Sequence, residues 1–379
     1  MAQDISGTGA PVQRPAKARG DERLIRRGRL RRALSSPELG ATAGLAIVFL
    51  FFIATAGDSG MFAADGVLNW TTVSAQLVVI ACGAALLMIG GEFDLSVGSM
   101  IGFAGMMIAI PSVYFHWPVW AATIFAFAGA LLIGWLNGYL VIRTRLPSFI
   151  VTLATLYILR GLTIALSIVF TNRTTVGGLH ELADGTFTSW LFAGVILHPF
   201  FVWLAAHHVI ATLPNGNPAV AGIPMVMLWA LGIAVIGHVV LTRTRWGNWI
   251  FAVGGDANAA RNVGVPVSRV KISLFMVTAF CATVYAACQV FEFGSASSDR
   301  GLLKEFEAII AAVIGGCLLT GGYGSVIGAV LGAFIFGVVQ IGILFTGMPN
   351  DWFRVFLGVT LLIAVLFNNV VRRKVTGER

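Results

Sequence analysis

Four charged side chains stand in otherwise apolar stretches: Glu92 and Asp94 within Gly90-Gly-Glu-Phe-Asp-Leu-Ser96-Val-Gly98, Arg160 within Leu153–Gly161, and Glu307 just ahead of Ala308-Ile-Ile-Ala-Ala. An ionisable group in an apolar span costs a few kcal/mol and normally faces a bundle interior or a wet cavity, where it pairs, relays protons or touches a solute. Asp94 precedes Leu95 and can cap a helix that starts there, or contact a solute directly; the two roles are compatible. Arg160 reads as an ion pair with an acid such as Glu307, as a side chain snorkelling to the outer surface, or as a substrate contact. Cys82, Cys281, Cys288 and Cys317 all lie in apolar runs without a CxxC or a nearby histidine pair. They read as buried small hydrophobes rather than disulfides or metal ligands.

No engine accompanies these groups. A phosphate-binding loop needs GxxxxGK[ST], and Lys17, Lys271, Lys304 and Lys374 all lack a preceding glycine. HExxH and GxSxG are absent as well, so neither ATP hydrolysis nor any catalytic residue is expected of this chain, and no metal or cofactor of its own.

The elements that must position these residues follow from composition. Of 379 residues 57% are hydrophobic and only 11% charged, with mean hydropathy +0.87. Soluble domains carry about 25% charged residues. The chain is therefore read as an all-α polytopic membrane protein, which excludes a cytosolic enzyme, a secreted disulfide scaffold and, despite the +8 net charge, a nucleic-acid binder. A span needs roughly 20 apolar residues. Ten candidates are 40–57, 70–90, 96–114, 119–142, 147–170, 221–241, 270–291, 306–320, 325–346 and 352–370. The first 39 residues form a basic tail, and Ser36-Pro37-Glu38 reads as N-cap, first-turn proline and first-turn acid. With that tail inside, 20 Lys or Arg fall on inner segments and span ends against four outside (Arg173, Arg300, Lys304 and Arg354). That is a strong positive-inside asymmetry, and it places both termini, including the 372–379 tail, in the cytoplasm. Counting 188–206 as a crossing spoils the split, so 171–220 is read as an outer insertion with an interfacial helix.

A shift of 230 residues superposes Gly91, Gly98 and Gly102 on Gly321, Gly328 and Gly332. This predicts a parallel internal repeat with helices broken near 91–95 and 321–324, unless the match is only the small-residue packing of a glycine-rich chain. Paired broken helices point to a solute pathway, placing Glu92, Asp94, Ser96, Gly98, Arg160, Glu307, Gly321, Gly322 and Gly328 along it. The longest inner connection, 242–269, contains Gly254-Gly255-Asp256-Ala-Asn258-Ala259-Ala260-Arg261-Asn-Val-Gly264. Two glycines break the chain, Asp256 caps a helix of under two turns, and Gly264 stops it. So short a helix is unstable alone in water and must dock on its own protein or on a partner.

Ala259-Ala260-x-x-x-Gly264 in this setting resembles the coupling loop of ATP-binding-cassette (ABC) importer permeases. Glu92-Phe-Asp94-Leu-Ser96-Val-Gly98-Ser is similar to the "G-x-D-L-S-V-G-S" signature of bacterial monosaccharide permeases of the ribose, xylose and galactose type. Ala308 to Gly316, followed by Gly321-Gly322-Tyr-Gly324, resembles that family's C-terminal glycine block. The likeness spans about 40–371; Glu92 replaces a small or apolar residue, and 171–220 is longer than usual. The resemblance implies a translocation subunit in the bacterial inner membrane that moves a pentose, hexose or related polyol. It also implies a second permease chain, a periplasmic solute-binding protein, and two cytoplasmic ATPase subunits that carry the ATP and Mg and receive the helix at Asp256–Gly264. Gly254, Gly255, Asp256, Asn258, Ala259, Ala260, Arg261 and Gly264 are then the coupling residues. A self-sufficient proton-coupled sugar symporter is the alternative, with Asp94, Glu92 or Glu307 as the titrating acid.

Overall fold

A computed structural model describes residues 38–213, 216–349, 351–360 and 362. The basic N-terminal tail up to Pro37, the C-terminal tail and most of the expected span 352–370 lie outside the described residues. The described residues are mostly helical. The helices are α1 (Glu38–Ala56), α2 (Ala64–Ile89), α3 (Val97–Tyr114), α4 (Val119–Thr144), α5 (Ser148–Thr171), α6 (Leu179–Ala183), α7 (Phe187–Ala193), α8 (His198–Ala206), α9 (Met225–Arg243), α10 (Arg245–Gly255), α11 (Ala257–Asn262), α12 (Val267–Phe293), α13 (Lys304–Ile314) and α14 (Val326–Phe345), with residues 351–360 also helical.

Among the described residues eight helices are long and apolar enough to span a membrane: α1 to α5, α9, α12 and α14. These match eight of the ten expected spans. The expected span 306–320 is instead the 11-residue helix α13 followed by irregular chain to Ser325. At 1.5 Å per residue α13 covers about 16 Å, half of a hydrocarbon core. The segment 188–206 divides into α7 and α8, of seven and nine residues, and neither can cross. Two short antiparallel pairs hold that region. β1 (Thr175–Val176) pairs with β4 (Ala296–Ser297), and β2 (Val195–Ile196) pairs with β3 (Ile223–Pro224).

The core lies where α12 packs on α2, α3 and α4, and where α14 packs on α2 and α13. Lipid is as apolar as leucine, so close helix packing rests on small residues rather than on a hydrophobic drive. A Cβ on Gly134 of α4 would sit 2.7 Å from the Phe275 carbonyl, and one on Gly138 2.7 Å from Ile272 Cα. The helices α4 and α5 turn a largely apolar face outward, with Trp120, Leu132, Tyr157 and Val169 exposed.

Candidate translocation and coupling site

The first break runs from Gly90 to Ser96. Gly91 has φ +82°, a left-handed turn that glycine adopts without strain. Non-helical backbone at membrane depth needs partners for its amides, and side chains of α5 supply them. Phe93 N donates to Ser148 Oγ (3.0 Å) and Leu95 N to Thr152 Oγ1 (3.1 Å). Asp94, 7% exposed, accepts from Ser96 N (2.9 Å), Ser96 Oγ (2.6 Å) and Thr278 Oγ1 of α12 (2.6 Å). Ser96 Oγ accepts in turn from Asn137 Nδ2 (3.1 Å), whose Oδ1 accepts from Thr155 Oγ1 (2.7 Å). One buried polar chain thus latches the break to α4, α5 and α12. Ser96, rather than Asp94, occupies the N-cap position of α3, and Asp94 braces the turn that leads into it.

Glu92 is held in place by a lysine. It forms an ion pair with Lys271, near the start of α12, and is 8% exposed. Glu307 pairs with Lys304 one turn away on α13 (2.6 Å). The expected Arg160–Glu307 pair is therefore absent, and Arg160 instead reaches Asp299 at 3.9 Å, because the 294–303 connection folds back beside α3 and leaves Asp299 exposed there. Gly98 packs against that returning segment: a Cβ would collide with the Glu305 carboxylate and stand 2.5 Å from the Gly301 carbonyl. Gly328 packs against Gly315 at the end of α13.

Sequence reasoning missed how the three glycine pairs meet. Gly254 stands near the end of α10 at the junction of both breaks. A Cβ there would collide with the Ile89 carbonyl and lie 2.6 Å from Gly322 N. Those two atoms already share a 2.8 Å hydrogen bond that joins the first break to the second. A Cβ on Gly321 would lie 2.7 Å from Gly91 Cα and 2.8 Å from the Gly254 carbonyl, and one on Gly322 2.9 Å from Gly255 Cα. The backbones of α2, α10 and the 315–325 segment touch with no side chain between them.

From this knot Asp256 opens α11, accepting from Asn258 N (2.8 Å) and Ala259 N (3.0 Å), and Gly264 (φ +85°) ends it. The two alanines part company. Ala260 is 3% exposed and packs into the protein's own core, so it is not available to a partner; Ala259, Asn258 and Arg261 are exposed. Val263, 79% exposed, stands four residues after Ala259 and so extends the same outward face. A lone apolar residue closing a polar six-residue helix was the signal for it.

A second polar group also escaped the sequence reading. Gln76 of α2 donates to Glu292 (3.2 Å), Gln289 donates to Gln76 (3.4 Å) and to Tyr285 Oη (3.1 Å), and Arg300 donates to the Ser295 carbonyl and to Ser295 Oγ (3.0 Å). Their separations in sequence, up to 216 residues, hide the cluster. A cavity of about 390 Å³ between α3, α4 and α5 is lined by Phe103, Met106, Phe125 and Phe170 among others, and is too apolar to hold a hydroxylated solute.

Residues 66–365 match the family described as branched-chain amino acid transport system / permease component. The chain belongs to this family. It is 30% identical over 360 residues to the xylose transport system permease protein of Escherichia coli K12, covering 88% of this chain and 91% of that protein. The Haemophilus influenzae xylose permease is 29% identical, with 87% and 95% covered. The E. coli K12 ribose import permease is 29% identical, with 86% and 92% covered. No solved structure matches the chain. The protein is thus a multi-pass transport permease, and the glycine knot, the polar latch and α11 are features of a permease body.

Proposed function

We propose that this permease is the translocation subunit of an ABC importer in the bacterial inner membrane, moving a monosaccharide or related polyol inward. Hydrolysis of ATP with Mg on separate cytoplasmic ATPase subunits drives it. A periplasmic binding protein delivers the solute, a second permease chain, identical or paralogous, completes the passage, and both termini face the cytoplasm. The observation that carries this reading is the direct backbone contact between Gly254-Gly255, which leads into α11, and the breaks at Gly91 and Gly321-Gly322. A displacement applied to α11 reaches both broken helices through rigid backbone rather than through a flexible loop. The named relatives, permeases for xylose and ribose, support the solute class. The symporter alternative finds less support, because Glu92 and Glu307 are each held by a lysine and Asp94 by three donors.

The test is assembly. The wild-type permease should co-purify with its ATPase subunit. Val263→Asp should insert and unfold like the wild type, because the side chain already lies in solvent, yet lose that subunit. A variant that retains the subunit fully would remove α11 from the coupling role.

A further inference from the structure

Beside α11 a polar cavity of about 730 Å³ opens between the α4–α5 corner and the first turn of α12. Its polar lining comprises Arg145, Asn258, Arg261, Ser268, Lys271 and Glu92. Lys271 and Glu92 neutralise each other. Neither Arg145 nor Arg261 pairs with a carboxylate among the described residues, so the cavity keeps two free guanidinium groups. The guanidinium fork matches phosphate geometry, with two parallel donors to two oxygens.

The surroundings say which phosphate. The α4–α5 corner continues outward into exposed apolar surface: Tyr139, Leu140, Leu146, Phe149 and Ile150 are all 41% exposed or more. Trp135 stacks on Tyr139, with ring centroids 5.2 Å apart, on this same face. Amphipathic aromatic rings beside arginines mark a membrane interface, and basic pockets between spans on that side suit anionic lipid head groups. A small soluble phosphate would use the guanidinium pair and leave the aromatic band idle.

We propose that this cavity seats the phosphate of an anionic phospholipid, with its acyl chains lying along the exposed face of α4 and α5. Arg145 comes from the α4–α5 corner and Arg261 from α11. The bound phosphate therefore staples α11 to the α4–α5 corner of the membrane body. Assigning it to the inner leaflet rests on the orientation given under the proposed function; the binding itself does not.

The experiment uses the full chain alone in detergent, so it does not depend on any ATPase. Unfolding midpoints are followed with phosphatidylglycerol, phosphatidylcholine or inorganic phosphate added, for wild type and for Arg145→Gln/Arg261→Gln. Phosphatidylglycerol should stabilise the wild type and phosphatidylcholine should not. The double variant should need on the order of 25-fold more phosphatidylglycerol, about fivefold for each guanidinium. Lipid counting on the intact wild-type chain by native mass spectrometry gives a second reading should the variant fold poorly, with retained phosphatidylglycerol expected over phosphatidylcholine. Equal protection by phosphatidylcholine, or an unchanged requirement in the double variant, overturns the proposal. So does inorganic phosphate that protects as well at equal phosphate concentration, which assigns the site to a free anion.

Discussion

Gly254 and Gly255 are neighbours in the same turn of α10, yet alanine should act on them in opposite directions. A methyl group on Gly254 collides with the Ile89 carbonyl and presses to 2.6 Å from Gly322 N, the two partners of the bond joining the breaks. Overpacking of this kind costs about 1–3 kcal/mol. Prising apart one buried backbone bond adds about 1 kcal/mol. Alanine returns about 0.5–1 kcal/mol of helix propensity, leaving Gly254→Ala destabilised by roughly 1–3 kcal/mol. A methyl on Gly255 meets nothing within 4 Å, so Gly255→Ala retains only the propensity gain. Thermal unfolding of the two variants in detergent measures this contrast, and permease-stimulated ATP hydrolysis measures its consequence for coupling. Gly254→Ala should lower both; Gly255→Ala should lower neither. Two variants indistinguishable in both assays would refute the knot as the mechanical junction.

Further outcomes follow from the latch, the ion pair and the charge asymmetry. Asp94→Ala strands Ser96 N and Ser96 Oγ and should cost about 1–3 kcal/mol for each orphaned donor, whereas Thr278→Val, whose hydroxyl also reaches the Phe275 carbonyl, should cost about 1; denaturant midpoints rank them. Glu92→Lys or Lys271→Glu alone should destabilise by on the order of 3 kcal/mol, and the double exchange should recover most of it; a non-recovering double exchange contradicts the pairing. Cysteines introduced at Gly178 and Asn258 should label from opposite sides of the membrane with an impermeant reagent, and same-side labelling rules out the proposed orientation.

Much of the scaffold was legible because it rests on local rules. Eight spans follow from apolar length, the Asp256 cap and the Gly264 stop from the chemistry of helix ends, and the Gly91 turn from the freedom of glycine. The failures have physical causes of their own. Residues 308–319 are apolar throughout, but a loop buried in protein is as apolar as a helix buried in lipid, so hydropathy could not separate α13 from the chain that follows it. Glu92 and Lys271 lie 179 residues apart, and Gly91, Gly254 and Gly321 come from three distant parts of the chain, so only the packed bundle shows that they meet. The acid that Arg160 reaches, Asp299 rather than Glu307, stayed hidden for the same reason. The resemblance counts Ala260 among the coupling residues, and a six-residue helix is too short for its pattern to reveal which side docks on its own protein; at 3% exposure Ala260 faces that side.

The central claim is that energy enters through α11 and not through a titrating acid in the membrane. The measurement is uptake of labelled pentoses and hexoses by vesicles holding this permease, its ATPase subunit and its binding protein, with the proton gradient collapsed. Wild-type vesicles should accumulate sugar only when ATP is supplied on the ATPase side, and Val263→Asp should abolish that uptake while the chain remains folded. Accumulation that persists without ATP and follows an imposed proton gradient, or a Val263→Asp permease that transports like wild type, would contradict it.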